Sequence, residues 1–151
     1  MRKCDREITD IKEIEEIIKS ATICRLALCS NNKPYIVPMC FGYKNKTLYF
    51  HCALEGKKTD ILKQNPNVCF EIEGDCKIIG GDQACKWTMD YKSVVGNGKA
   101  VFVISQPEKI KALDIFMSQY CKEKFNYPSN ALKKTAMIKV VIEEMTGKKS
   151  K

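Results

Sequence analysis

The residues best suited to chemistry lie in one stretch, residues 49–63, read Y-F-H-C-A-L-E-G-K-K-T-D-I-L-K. It holds the only histidine of the chain, His51, with Cys52 beside it. Two adjacent lysines, Lys57 and Lys58, follow directly on Gly56. Leu48, Tyr49 and Phe50 favour a strand, Gly56 breaks it, and Ile61 and Leu62 supply the apolar positions of a helix starting at the lysines. First-turn helix amides are unpaired, and the helix dipole adds partial positive charge to them. A strand–glycine–lysine–helix join can therefore seat an anion, with lysine supplying a mobile full charge for a phosphate. The alternative is that Lys57 and Lys58 are solvated surface charges. His51 has two readings as well: a packing residue at a strand end, or a proton donor.

Other chemistries find little to use. No G-x-S-x-G elbow is present, and a Cys–His pair with Cys52 is disfavoured because strand neighbours point to opposite faces. Neither G-x-x-x-x-G-K-[ST] nor G-x-G-x-x-G occurs, and Gly96-Asn97-Gly98 is only part of the latter, inside a strand pattern. The nine cysteines are odd in number and include no C-x-x-C pair, which argues against a disulfide framework, a zinc ribbon or an iron–sulfur cluster. Cys24, Cys40 and Cys69 sit in apolar strand patterns as small hydrophobes. So many free thiols fit a reducing cytoplasm. Cys52 is the thiol to watch, because nearby cations could lower its pKa.

The 151-residue chain is long enough for one domain with a core, residues 1–151, and its hydrophobic fraction of 44% is ordinary. No apolar run reaches membrane-spanning length, and the charged N-terminal residues lead into no apolar signal core. The net charge of +8 comes almost wholly from dispersed lysines mixed with acids. Arginine, the usual reader of nucleic acid, is limited to Arg2, Arg6 and Arg25, so nucleic-acid binding is not expected.

These residues must be positioned by a mainly β scaffold with flanking helices. Residues 8–19 predict an amphipathic helix through Ile11, Ile14, Ile17 and Ile18, with Asp10 and Glu13 at capping-box spacing. Strands are predicted at 22–29, 35–43, 47–53, 67–73, 91–103 and 136–144. Pro38 makes the second an edge, a bulge or a ligand-facing strand, and Gly96 and Gly98 predict a bulge or a close backbone approach in the fifth. Helices are predicted from Gly56 to about Gln64, and after Ser105-Gln106-Pro107 with Ile110, Leu113, Phe116 and Met117 as its stripe. Residues 74–86 read as a strand end and loop, 121–135 as a lysine-rich linker, and the last seven residues as a polar tail that frays at its end. Trp87 reads as a core or interface residue. Six mostly meandering antiparallel strands close most economically into a small barrel.

Local strings in this order resemble the FMN-binding split-barrel superfamily of pyridoxamine 5′-phosphate oxidase-like proteins, and within it the nitroimidazole-resistance (Nim) branch. They are Cys24-Arg25-Leu26-Ala27, Pro34-Tyr35-Ile36-Val37-Pro38-Met39, Phe41-Gly42-Tyr43, Tyr49-Phe50-His51-Cys52-Ala53, Gly56-Lys57-Lys58, Asn65-Pro66-Asn67-Val68-Cys69-Phe70, Tyr91-Lys92-Ser93-Val94, Gly98-Lys99-Ala100 and Thr146-Gly147-Lys148. The resemblance implies a six-stranded antiparallel split β-barrel, dimeric, with FMN at the subunit interface. It places Lys57 and Lys58 on the FMN phosphate, His51 and Cys52 beside the flavin, and Val37, Pro38 and Met39 along the isoalloxazine. Tyr91 and Ser93 would approach the cofactor from across the interface. Lys92 stands where relatives more often carry arginine. The implied activity is oxidoreduction: NADH or NADPH to FMN to a small acceptor such as a nitroaromatic, with His51 catalytic. A non-catalytic flavin carrier or sensor, or a haem barrel with His51 as axial ligand, are the alternatives. The pyridoxamine phosphate oxidases carry a C-terminal Arg–His substrate motif that has no counterpart after residue 140, so that activity is not expected.

Overall fold

The computed structural model describes residues 4–150. Eight strands form one antiparallel sheet: β1 (Glu7–Ile8), β2 (Cys24–Ser30), β3 (Lys33–Met39), β4 (Gly42–Lys44), β5 (Thr47–Ala53), β6 (Asn67–Glu73), β9 (Lys92–Val103) and β10 (Thr135–Lys149). β7 (Lys77–Ile79) and β8 (Thr88–Asp90) make a separate hairpin. The main order is β3-β2-β6-β9-β10-β5-β4, with β1 on β10. Its two outer strands, β3 and β4, are joined by only Cys40-Phe41, so the sheet must curl until its edges lie close together. No ladder joins β3 to β4 or β5 among the described residues, which leaves the barrel split along that seam.

Period-two patterning fills the interior. Leu26, Leu48, Phe50, Phe70, Ile72, Val94, Ile138 and Val140 are fully buried along their strands. Gly96 and Gly98 make room for this. A Cβ on Gly96 would lie 2.5 Å from the Phe70 ring, and one on Gly98 would lie 2.3 Å from the Val141 carbonyl oxygen. The accompanying irregularity falls on the facing strand, between Ile142 and Glu144. Helix α1 (Ile11–Ser20) buries Ile14, Ile17 and Ile18, each of order 1.5–3 kcal/mol if fully removed from water. The Asp10 carboxylate caps it by accepting from the Lys12 amide at 2.9 Å. No helix among the described residues is long and apolar enough to cross a membrane.

The described residues form ten strands rather than six. The expected strand 35–43 breaks at Cys40-Phe41, because its second half turns to pair with β5, and Cys40 is exposed rather than packed. Residues 74–91 fold back as the β7–β8 hairpin, where Trp87 is 59% exposed and so not a core residue. The linker holds a short helix, α4 (Ser129–Lys134). The polar tail expected beyond a strand ending at residue 144 is itself strand through Lys149, and the fraying expected at its very end falls on residue 151, outside the described residues. β10 continues there because β9 pairs with its far end and β1 adds Glu7↔Lys148 and Ile8↔Gly147. The edge position of Pro38 is as expected: among the described residues β3 pairs only with β2.

Candidate functional site

β5 delivers His51 and Cys52 to the seam. Leu48, Phe50 and Cys52 alternate toward the core, while Tyr49 and His51 face outward. Gly56 then turns the chain at φ 128, ψ 169, a left-handed-side conformation open to glycine. Helix α2 (Lys57–Gln64) follows with no side-chain cap; the Gly56 carbonyl accepts from the Asp60 amide at 3.0 Å and the Thr59 hydroxyl at 2.7 Å. The first-turn amides of Lys57, Lys58 and Thr59 are thus left without intrahelical acceptors.

The two lysines reach across the seam onto β3. Lys57 Nζ lies 4.4 Å from the centroid of the Tyr35 ring, and Lys58 Nζ lies 3.3 Å from Met39 Sδ. Neither lysine is in an ion pair among the described residues. Val37 and Met39 are half-buried against the core, while Pro38 is exposed on the other face. The outer edge of β3 has no strand partner among the described residues, and Pro38 offers no amide there.

Helix α3 (Gln106–Ser118) supports His51 from outside. The Phe116 ring meets the imidazole edge-on, with centroids 4.7 Å apart and planes at 88°. Burial, with the Lys58 ammonium adding to it, holds the His51 pKa below the ordinary 6.5, so the ring is neutral at pH 7. For Cys52 the balance goes the other way from the sequence expectation. Burial raises the thiol pKa, and the lowering effect of Lys58 is the smaller one.

One chain therefore gathers Val37, Pro38, Met39, His51, Cys52, Lys57 and Lys58 around the seam. It does not bring Tyr91 and Ser93 there. Met137 opposes both His51 and Val103, whereas Ser93 opposes Lys148 ten residues away along β9, roughly 30 Å at strand rise. The Tyr91 amide and carbonyl bond to Ser150 at that far end. Two participants were not legible as such. Tyr35 under Lys57 stood only in a family string, and Phe116 was visible only as part of a helical stripe. The signal for the second is Gly42, where a Cβ would lie 2.5 Å from Phe116 Cα, so α3 docks only against glycine.

An antiparallel barrel split along one seam, with an uncapped helix start and two free cations across it, is the class defined by fold and site. A family model described as pyridoxamine 5′-phosphate oxidase matches residues 10–149, and the chain belongs to that family. It is similar to a Bacteroides thetaiotaomicron protein provisionally assigned to 5-nitroimidazole antibiotic resistance: 38% identity over 94% of this chain and 85% of that one, TM-score 0.86. It shares its fold with the flavocytochrome Anf3 of Azotobacter vinelandii at 16% identity, covering 100% of this chain and 72% of that one, TM-score 0.87. An uncharacterised curated protein of Rhizobium meliloti is 31% identical over 61 residues, 40% of each chain.

Proposed function

We propose that this protein is a flavin-binding oxidoreductase that takes FMN at the seam and passes electrons from NADH or NADPH to a small acceptor such as a nitroaromatic. One observation carries the reading: Lys57 and Lys58, without a carboxylate partner among the described residues, stand at a helix start with no side-chain cap and reach the Tyr35 ring and Met39 of β3. That donor set suits a terminal phosphate, whose oxygens accept from backbone amides and ammonium groups together. The likeness to a nitroimidazole-resistance protein at 38% identity supports the acceptor class.

A bound flavin would supply hydride and single-electron transfer; the protein supplies position and electrostatics. Lys57, Lys58 and the α2 amides hold the phosphate. Val37, Pro38 and Met39 on β3 and Cys52 on β5 border the ring. His51, neutral and packed against Phe116, donates an N–H hydrogen bond that polarises the bound acceptor as it gains electrons, the proton the acceptor takes up coming from water. A second copy of the chain brings its Tyr91 and Ser93 to the cofactor, which makes the working unit a homodimer.

Anaerobic turnover with NADH or NADPH and a 5-nitroimidazole tests this. The wild type is expected to oxidise the nicotinamide only with acceptor present. His51→Ala should keep FMN and lose about 100-fold in kcat, the lower range for removing one polarising hydrogen-bond donor. A flavin-loaded wild type that never turns over would leave a flavin carrier, and full turnover by His51→Ala would remove His51 from the reaction.

A further inference from the structure

Beside His51 lies a pocket of about 200 Å³. Leu113, Phe116 and Met117 form one wall, at the helical spacing expected for a single face of α3. Tyr127 and Leu132 form the other, and His51 stands at the strand end between them. The far wall is tied down. Lys109 Nζ donates to the carbonyl oxygens of Leu132 at 3.5 Å and Thr135 at 3.1 Å, fastening the end of α4 to α3.

The polar content of this pocket is limited. Its nine lining residues include no Lys, Arg, Asp or Glu. The Tyr127 hydroxyl already donates to Asp114 Oδ1 at 3.0 Å, and the Thr135 hydroxyl donates to the Ala131 carbonyl at 3.0 Å. The His51 ring packs edge-on against Phe116 and feels the Lys58 ammonium, and no side-chain hydrogen bond to it is seen among the described residues. With both hydroxyl protons committed, its imidazole is the side-chain donor that the pocket lining offers a ligand.

We propose that this pocket binds a neutral one-ring aromatic molecule, with its ring among Phe116, Met117 and Leu132 and one polar substituent on His51. An apolar protein cavity of about 150 Å³ is large enough for benzene, so the volume fits one ring with a small substituent. No charged side chain lines the pocket; Lys109 and Asp114 behind its walls are already engaged with the Leu132 and Thr135 carbonyls and the Tyr127 hydroxyl, so an anion or a cation would lose hydration here with no directly contacting countercharge. The use of the pocket as the acceptor seat rests on the flavin reading above; the binding itself does not.

His51 is the only histidine, so its ring resonances report on the pocket without ambiguity. Phenol, benzoate and benzylamine are titrated into the full-length protein at pH 7.5, with and without FMN, while the His51 ring is followed by NMR. Phenol is expected to shift it saturably and to bind at least tenfold more tightly than either charged probe. Intermolecular NOEs from phenol should reach the Met117 and Leu132 methyl groups. Ala131→Phe, at an exposed rim position, should weaken phenol at least tenfold. The wild-type NOEs decide the matter should that variant misfold. No shift with phenol, equal binding of benzoate, or NOEs to other methyl groups only would overturn the proposal. Phenol binding without FMN binding would sink the flavin reading alone, and FMN binding without phenol binding would sink the pocket alone.

Discussion

Gly42→Ala is the sharpest perturbation of the support behind His51. An added Cβ would lie 2.5 Å from Phe116 Cα, 2.6 Å from the Ile115 carbonyl oxygen and 2.7 Å from the Phe116 amide nitrogen. All three atoms are backbone, so no side-chain rotation relieves the clash, and α3 must move by about 1 Å to restore ordinary contact. Overpacking of this kind costs roughly 1–3 kcal/mol. At about 2–4 °C per kcal/mol for a chain of this size, the unfolding midpoint should fall by roughly 2–12 °C. The same movement draws Phe116 away from His51, so the His51 pKa should rise toward its ordinary value as water reaches the ring. Thermal unfolding and an NMR titration of the single histidine measure both effects. Gly74→Ala is the control, because its nearest neighbours would lie at 3.5 and 3.6 Å, ordinary contact distances. A Gly42→Ala protein with wild-type midpoint and unchanged His51 titration would refute the claim that glycine sets the docking of α3.

Two further expectations follow from the ionisations. Because the folded-state pKa of His51 lies below 6.5, the unfolded chain takes up its proton first as pH falls. The stability held by neutral His51 is therefore full above about pH 6.5 and is lost as pH drops through the folded value. Urea midpoints at pH 7.5 and 5.5 should fall further for the wild type than for His51→Gln; parallel losses would show that His51 is not the group responsible. The half-buried Cys52 thiol, with its raised pKa, should alkylate at neutral pH more slowly than it does in the urea-unfolded chain, as followed by peptide mass spectrometry. An equal or faster rate in the folded protein would contradict the dominance of burial over Lys58.

Local patterns carried much of this molecule in plain view. The isoleucine spacing of α1, the lysine start of α2 and the strand at Asn67–Glu73 depend on period and turn residues within a few positions of each other. Pro38 announced an edge because its lost amide is a fact about one residue. What stayed hidden depends on partners distant in sequence. The polar end of β10 looked like a tail beyond the strand until β1 and β9 paired with it. Phe116 is an ordinary stripe residue until Gly42 lets α3 approach the barrel and set its ring on His51. Cys52 stands near a cation, as its neighbours in sequence suggested, but only packing reveals that burial outweighs the charge. The Tyr91–Ser93 segment lies about 30 Å from His51 along the strands; in the proposed dimer it belongs with the site only across a subunit boundary.

The most direct test of the phosphate seat is an absorbance titration with FMN, and with riboflavin as the same ring without phosphate. It compares wild type with the double variant Lys57→Ala/Lys58→Ala. Both side chains remain accessible to water, so each charge-assisted contact is given about 1.4 kcal/mol, near the low end for hydrogen bonds to charged groups. Together that is about 100-fold in affinity. The account predicts near-stoichiometric FMN binding by the wild type, a loss of about 100-fold in the double variant, and riboflavin binding that is equal in the two proteins. A wild type that binds no FMN, or a double variant that binds it as tightly as wild type, would contradict it.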